Sequence, residues 1–349
     1  MVVGSGLIGL TTAVALAERG VEVTLIGEHR PGEASAASAG MLAPSIERAP
    51  GPAHHFSIAS RDRYPSYIEF LAERTGVKVP LNRLGILQLA LSEKGIKGLR
   101  KSALPSTRWL DEKELRHFEP ALPHALGAMF NAQDGAVDTT ALLQALEKLC
   151  SASKWIERFE GAVRSLKAGR DSCKVETESG SQLAAPRVVI AAGAWAGKIS
   201  GARFARAVKP ARGQLVSYSA APLRHVTYGP SGYVVPRGGV TIGGSTMEDV
   251  GFDAETTAAG VKKVRAAAEE ICPALASSET TRSWAGLRPV TPDLLPILGP
   301  DPEYPSLLYA CGHSRNGVLM APLTGDLIAD LVTESPLNHD LSQFRPDRF

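Results

Sequence analysis

The chain has 349 residues, a length that predicts about two domains and allows a large hydrophobic core. Hydrophobic residues make up 44% of the chain and charged residues 21%, which is typical of soluble globular proteins. The formal net charge of +2 argues against nucleic acid or an acidic membrane surface as a partner.

The sequence contains no sign of a membrane span, a secretion signal or a metal centre. No apolar run reaches the roughly 18 residues that a membrane span requires without a glycine or a charge interrupting it. The apolar N-terminal stretch has no basic region before it, so we expect a cytoplasmic protein. Cys150, Cys173, Cys272 and Cys311 lie far apart, with no C-x-x-C pair and no histidine at metal spacing. We expect four reduced, mostly buried thiols and no bound metal.

The first elements along the chain are predicted to be a strand, a helix and a second strand. Met1–Val3 forms a very short strand, and a helix follows from about Leu7 to Arg19, with Leu7, Leu10, Val14 and Ala17 on one face. Gly20 suits the end of this helix, and the alternating "VEVTLIG" is typical of a strand.

Three glycines between the first strand and the helix have the G-x-G-x-x-G spacing of a dinucleotide site; they are Gly4, Gly6 and Gly9. Gly4 allows the tight turn, Gly6 lets a pyrophosphate approach the backbone, and Gly9 lets helix and strand pack closely. The helix N-terminus then offers N–H groups and its positive dipole end to the phosphates.

The end of the second strand departs from the usual dinucleotide pattern. An acidic residue that binds ribose hydroxyls is expected there, but Gly27 occupies the place and Glu28 follows it. Either Glu28 reaches the ribose, or backbone and water hold the ribose and Glu28 is a solvated loop carboxylate. The loop "GEASAASAGMLAP", residues 32–44, is rich in small side chains that would let a flat ligand lie against the backbone.

The middle of the chain has a different pattern. Gly85–Glu93 is predicted to be a strand, and a helix begins at Asp111 and ends before Pro120. Asp138 is predicted to cap a helix that carries Leu142, Leu143, Leu146 and Leu149. The short strands of "GAVRSL" and "CKVETES" are interpreted as a return to the βαβ pattern, and Val188–Ala192 as a buried parallel strand that leads into a turn at Gly193.

The last third begins with short strands between Gln214 and Gly244, whose close turn signals predict an antiparallel sheet. A helix follows over residues 253–271, then a strand at 306–311, the loop "GHSRNG" and a final helix from about Val318 to Val332. We therefore predict an α/β fold (α+β overall), in which a Rossmann-like dinucleotide-binding domain is interleaved with an antiparallel-sheet substrate domain. The dinucleotide-binding domain comprises residues 1–80, 140–205 and 285–349, and the substrate domain residues 81–139 and 206–284.

The glycine fingerprint alone does not distinguish a nicotinamide cofactor from a flavin. The C-terminal strand, Gly-framed turn and apolar helix start favour the flavin, because a helix N-terminus would stabilise the negative charge that develops on a reduced flavin ring. A nicotinamide ring develops no such charge.

Five segments together resemble the D-amino-acid-oxidase-like flavoenzymes, and within that family the glycine oxidase branch of thiamine biosynthesis; these are "GSGLIG", "ASAASAGMLAP", "VVIAAGAWAG", "GLRPVTPDLLPILG" and "GHSRNGVLMAP". The resemblance covers nearly the whole chain and implies FAD, oxidation of an amine at its Cα–N bond, O₂ as electron acceptor and a homo-oligomer. Related enzymes bond the flavin to a cysteine near the "TPD" segment, but residues 286–290 contain none here, so we expect noncovalent FAD.

The resemblance also implies which residues contact FAD. Besides the three fingerprint glycines and Gly193, they are Leu7, Ile8, Gly27, Glu28, Ser35, Ala36, Gly40, Met41, Leu42, Val163, His313, Ser314, Arg315, Asn316, Gly317, Val318 and Leu319.

The expected chemistry requires few protein groups, since a hydride that leaves Cα for flavin N5 needs no acid or base if the amine enters neutral. The site must hold the substrate, and a guanidinium is the best clamp for a carboxylate. Arg288, which the resemblance also assigns to the substrate, is the expected clamp, with a structural ion pair as its alternative role. The resemblance implies that Arg315 contacts both cofactor and substrate, with a loop-shaping salt bridge as its alternative role. It implies that Tyr233 binds the carboxylate or lines the pocket, and that Met247 forms part of the pocket wall. Their alternatives are an ordinary strand aromatic for Tyr233 and core packing for Met247.

Three functions remain open from the sequence. The first is an oxidase of glycine or another small amino acid or amine that produces H₂O₂ and, in the thiamine pathway, supplies an imine for thiazole synthesis. The second is a D-amino acid dehydrogenase that passes electrons to a quinone, although that branch has "GHGTLGW" where this chain has "GHSRNGVLMAP". The third is a FAD-binding protein without catalytic activity.

Overall fold

A computed structural model describes residues 1–349. Twenty β-strands are present: β1 Val2–Val3, β2 Val23–Gly27, β3 Met41–Leu42, β4 Leu81–Asn82, β5 Ile86–Ala90, β6 Thr107–Asp111, β7 Gly127–Asn131, β8 Gly135–Val137, β9 Ile156–Glu160, β10 Val163–Ala168, β11 Cys173–Thr177, β12 Gln182–Ala185, β13 Val188–Ile190, β14 Lys209–Tyr218, β15 Val226–Tyr228, β16 Tyr233–Arg237, β17 Val240–Gly244, β18 Thr280–Val290, β19 Ile297–Pro300 and β20 Leu307–Cys311. The eight α-helices are α1 Leu7–Glu18, α2 Ala34–Ala37, α3 Pro52–Thr75, α4 Glu93–Lys101, α5 Glu112–Phe118, α6 Thr139–Ala152, α7 Ala258–Ile271 and α8 Gly317–Val332. None of them combines the length and the apolar character that a bilayer-spanning helix needs.

A six-stranded sheet with the order β19-β20-β13-β1-β2-β9 organises the first layer. All of its neighbours are parallel except β19 and β20. Strand β1 is only two residues long, but Val2 and Val3 are both buried, one in the core on each face of the sheet. The predicted parallel unit at the N-terminus is therefore confirmed.

Helices α1, α3, α6 and α8 cover one face of this sheet. Helix α1 is buried on almost every side, not only along the predicted face, because both α6 and α8 pack against it. Strands β10, β11 and β12 cover the other face as a separate antiparallel sheet. Their interpretation as a return to the βαβ pattern was wrong: β11 alternates buried and accessible residues, as a half-solvated antiparallel strand does.

The second layer is an eight-stranded sheet with the order β18-β14-β17-β16-β15-β5-β7-β6. It is antiparallel, as predicted, except where β15 runs parallel to β5. Strand β18 belongs to this sheet throughout and crosses residue 285, where the sequence places a domain boundary. The division into domains stays a prediction.

The predicted helix start at Asp111 and the predicted cap at Asp138 are present, and three helices were missed. Asp111 and Glu114 form a capping box at α5, and the Asp138 carboxylate accepts from the N–H groups of the first turn of α6. Helix α4 was missed because the predicted strand continued to Glu93, where Ser92 in fact caps a new helix. The 24-residue helix α3 was also missed, and the small-residue loop 32–44 contains α2 and β3.

Candidate active site

A cavity of about 720 Å³ lies at the carboxyl ends of β1, β2, β13 and β20, beneath the large sheet. Ligands of open α/β sheets bind at this edge, because the loops that follow parallel strands meet there. The lining comes from both ends of the chain, residues 3–8 and 310–318, and from β14, β16 and β18. Its size is that of a cofactor site.

The three fingerprint glycines have the predicted geometry. Gly4 has a φ of +115°, and a Cβ there would lie 2.3 Å from the carbonyl oxygen of Ala191. A Cβ on Gly9 would lie 1.7 Å from the carbonyl oxygen of Gly4, so Gly9 serves helix–strand packing and does not line the cavity. Gly6 does line it, which leaves the backbone accessible to a phosphate.

The missing acidic residue at the end of β2 has a steric explanation. A Cβ on Gly27 would lie 2.1 Å from the Ser5 hydroxyl oxygen. Glu28 lines the cavity and accepts from Arg30 Nε at 2.7 Å, and Arg30 also donates to Glu178 at 2.8 Å. Glu28 is thus an ion-paired residue of the cavity wall.

Two helix N-termini meet at the cavity. In α1 the N–H of Leu7 donates to the Ser35 hydroxyl at 3.0 Å, while Ile8 N–H finds no acceptor in the protein. Helix α8 has no side-chain cap, and the N–H groups of Gly317 and Val318 are without acceptors. Each terminus offers N–H donors and a partial positive charge to an anionic part of a ligand.

The turn before α8 is fixed by buried contacts. Burial lowers the pKa of His313 to about 3, so its ring is neutral at physiological pH, and Nε2 lies 3.2 Å from the Thr324 hydroxyl. Ser314 has a φ of +50°, and its N–H donates to the carbonyl oxygen of Pro289 at 2.9 Å. This bond ties the turn to β18, beside Arg288.

Arg288 lines the cavity and forms no ion pair. Its Nη1 donates to the carbonyl oxygen of Thr246 at 3.1 Å and its Nη2 to the Ser245 hydroxyl at 2.6 Å. A Cβ on Gly213 would lie 1.9 Å from Nη1, so only a glycine lets the guanidinium lie against β14. The alternative role, a structural ion pair with a carboxylate, is absent.

Aromatic and sulfur groups line the cavity near the small-residue loop. Tyr233 and Tyr228 pack with ring centroids 5.6 Å apart, and the Tyr228 hydroxyl lies 2.8 Å from Met41 Sδ. Gly40 has a φ of +82°, and a Cβ there would meet the Val137 carbonyl at 2.0 Å.

Arg315 lines the cavity but is paired with Glu47 on the turn after β3. Its guanidinium side chain is half exposed, whereas that of Glu47 is 13% exposed. The pairing corresponds to the loop-shaping role that the sequence left open for Arg315.

Most residues implied by the resemblance line this cavity. Besides the residues already described, the cavity wall includes Val163, Gly193 and Asn316. Five of the implied residues do not line the cavity. Gly9 packs on Gly4, Leu42 and Leu319 lie in the core, Ala36 faces solvent, and Met247 is 51% exposed. The geometry thus gives no support to Met247 as a pocket wall.

Several residues of the site were not predicted from the sequence; those that line the cavity are Glu47, Tyr228, Ser245 and Trp195. Arg237 lies behind it and donates to the carbonyl oxygen of Ala39 at 2.6 Å. Only Trp195 lay inside a quoted motif, "VVIAAGAWAG". The others carry no local signal, because sheet pairing alone brings them to the cavity.

The residues present suit FAD. The glycine cradle and the N-terminus of α1 fit a pyrophosphate, and the uncapped N-terminus of α8 fits the electron-rich edge of a flavin ring. Cys311 is the one cysteine of the cavity wall, but its side chain belongs to the core beneath β20, and burial raises its pKa to about 12.

Comparisons with known proteins agree with this site. The family model described as FAD dependent oxidoreductase matches residues 1–331. The chain is 35% identical to the glycine oxidase of Geobacillus kaustophilus, over 98% of this chain and 95% of that protein. It is 34% identical over its whole length to the bifunctional protein ThiO/ThiG of Synechocystis, but covers only 54% of it, so the chain spans about half the length of that relative.

A solved structure shows the same fold. The crystal structure of the Geobacillus kaustophilus glycine oxidase matches with a TM-score of 0.91 and 34% identity, over 100% of this chain and 98% of that one. The parallel sheet, the glycine cradle and the full-length match together show that the chain belongs to the FAD dependent oxidoreductase family and that FAD is its cofactor.

Proposed function

We propose that this protein oxidises glycine or another small amino acid or amine at its Cα–N bond, with O₂ as the electron acceptor and H₂O₂ as a product. The observation that carries the proposal is Arg288, a guanidinium without a carboxylate partner in the wall of the FAD cavity.

Arg288 is suited to hold a substrate carboxylate. A guanidinium has five N–H donors, and the protein's own acceptors for this one are neutral oxygens of Ser245 and Thr246. The remaining donors and the uncompensated charge are available to a carboxylate, which a guanidinium can bind through two parallel hydrogen bonds. This contact would orient the substrate Cα as well as bind the substrate.

The cofactor would be held by the glycine cradle, Ser35, the N-terminus of α1 and the turn from His313 to Val318. When bound, FAD would supply the redox chemistry, as acceptor of a hydride from the substrate Cα and donor of two electrons to O₂. The N–H groups at the start of α8 would stabilise negative charge at that end of the cavity.

The protein's own groups bind and orient rather than exchange protons. The His313 ring is neutral, buried and placed against Thr324. Burial raises the pKa of Tyr228, so its hydroxyl stays protonated. The carboxylates of the wall are all ion-paired or hydrogen-bonded within the protein. Such a site suits a substrate whose amine enters neutral, since no ammonium proton then has to be removed before the hydride leaves Cα.

The relatives support the substrate class, because several of them are named glycine oxidase. A role of the imine product in thiamine thiazole synthesis is part of the same proposal and rests on the resemblance to that branch.

The test is to record the visible spectrum of the purified protein and to add glycine, sarcosine and D-alanine without oxygen. We expect at least one of them to bleach the flavin absorbance, and admission of air to restore it with release of H₂O₂. A flavin that no amine bleaches would contradict the proposed substrates. A bleached flavin that persists in air and recovers with a quinone would show the dehydrogenase instead.

A further inference from the structure

Two arginines lie at the same end of the cavity and differ in their partners. The N–H of Ser314 bonds to the carbonyl oxygen of Pro289, and these two residues are the chain neighbours of Arg315 and Arg288. Both arginines line the cavity. Arg288 contacts only neutral oxygens, whereas Arg315 is paired with Glu47.

Glu47 is held in position by the chain around it. Its N–H donates to the carbonyl oxygen of Ala43 at 2.9 Å. Two residues before it, Ser45 donates through its N–H and its hydroxyl to the fully buried Asp134, which is paired with Arg61 at 3.0 Å. Glu47 thus presents a mostly buried carboxylate from an anchored turn, and Arg315 is the only partner of that carboxylate.

The other ionisable groups of the wall do not alter the charge at this end. Burial keeps His313 neutral. The remaining charged residues of the wall have other partners. Arg30 pairs with Glu28 and Glu178, Arg164 pairs with Glu176, and Lys198 lies over the Phe252 ring. Glu33 lies against His29 and accepts from the backbone N–H of Arg30. This end therefore has one uncompensated positive charge, that of Arg288.

We propose that Glu47 is a specificity residue that restricts the site to amines with a single carboxylate. Arg288 binds the first carboxylate, and Glu47 occupies the guanidinium that could bind a second one. A substrate with two carboxylates would have to displace Glu47 from Arg315 and leave a mostly buried carboxylate without a partner, which is unfavourable. This inference rests on the proposed function and adds the charge of the substrate to it.

The test measures binding without turnover. Acetate and malonate carry one and two carboxylates and have no amine to oxidise, so their dissociation constants for the FAD-bound protein can be measured by calorimetry. We expect the wild type to prefer acetate. Glu47→Gln keeps an acceptor for Arg315 but removes the charge, so malonate should bind about tenfold more tightly, the strength of one added hydrogen bond between charged groups. Its affinity for acetate should stay close to that of the wild type.

A second variant separates charge from structure. Glu47→Gln combined with Arg315→Gln removes both charges of the pair, and the preference for acetate should return. Glu147→Gln is the matched control, since it removes a carboxylate from an ion pair with Arg158 outside the cavity. It should leave both affinities unchanged.

The outcomes are distinct for the two proposals. The role of Glu47 would be overturned if Glu47→Gln left the ratio of malonate to acetate affinity unchanged. It would also be overturned if the double variant kept the raised malonate affinity. A wild-type protein that binds neither anion would overturn the carboxylate clamp of the proposed function and this inference with it. If Glu47→Gln does not fold, Arg315→Gln alone decides: it should weaken malonate binding more than acetate binding, and equal losses would contradict the inference.

Discussion

At the scale of single residues, the feature that matters most in this protein is whether an arginine has a carboxylate partner. Arg212, one strand away from Arg288, is paired with Glu248 and Asp253 and is buried in that network. Arg288 has no such partner and faces a cavity. A partly buried guanidinium without a counter-charge is unfavourable in the empty site, and a carboxylate ligand removes that cost.

Substitution of Arg288 should affect binding and catalysis together. We expect Arg288→Ala to raise KM for the substrate by about 10- to 100-fold, the loss of charge-assisted hydrogen bonds, and to lower kcat because orientation is lost with binding. Steady-state kinetics with the best amine measures both. Arg282→Ala, an exposed arginine on the same strand β18, is the control and should change neither value. An unchanged KM in Arg288→Ala would remove Arg288 from the substrate site.

At the scale of helices and strands, the sequence allowed a prediction wherever a local signal determines the structure. The helix start at Asp111 and the cap at Asp138 were correctly predicted because a capping bond spans only two or three residues. Helix α3 was missed because Pro65 lies inside it and its buried positions include polar residues such as Ser60. The Ser60 hydroxyl donates to the carbonyl oxygen of Leu319 at 2.7 Å, a tertiary contact that no local pattern contains.

The packing of α1 against β1 should tolerate no side chain at Gly9. We expect Gly9→Ala to destabilise the protein and to weaken its retention of FAD, because the new Cβ would collide with the backbone carbonyl of Gly4. Thermal unfolding and the ratio of flavin to protein absorbance measure the two effects.

The control for this substitution is Gly98→Ala in α4, where a Cβ would meet nothing within 4 Å. It should stabilise the protein by about 0.5–1 kcal/mol through helix propensity. A Gly9→Ala protein with the wild-type melting temperature and flavin content would refute the packing role of Gly9.

At the scale of the whole molecule, the cavity joins segments that are far apart in the chain. The glycines of residues 4–9 and the turn of 313–318 could be predicted because each carries its own motif; Gly4, Gly6 and the turn line the cavity. The Glu47–Arg315 pair spans 268 residues and could not be predicted, since neither residue belongs to a pattern that names the other. The same holds for Ser245, which β17 brings to Arg288 only through its pairing with β14.

This long-range assembly predicts that FAD stabilises the whole fold while remaining dissociable. The first strand and the last helix contribute to one cavity, so FAD that binds only the folded protein should raise its stability by about 2.7 kcal/mol at a free concentration of 100 times Kd. Release by acid should be complete, because the Cys311 side chain lies in the core and burial holds its pKa near 12, far from a reactive thiolate. The measurements are the melting temperature of the flavin-free protein with and without added FAD, and the flavin absorbance of supernatant and pellet after acid precipitation. We expect a higher melting temperature with FAD, a yellow supernatant and a colourless pellet; flavin that stays with the precipitated chain would show a covalent bond and contradict the dissociable cofactor.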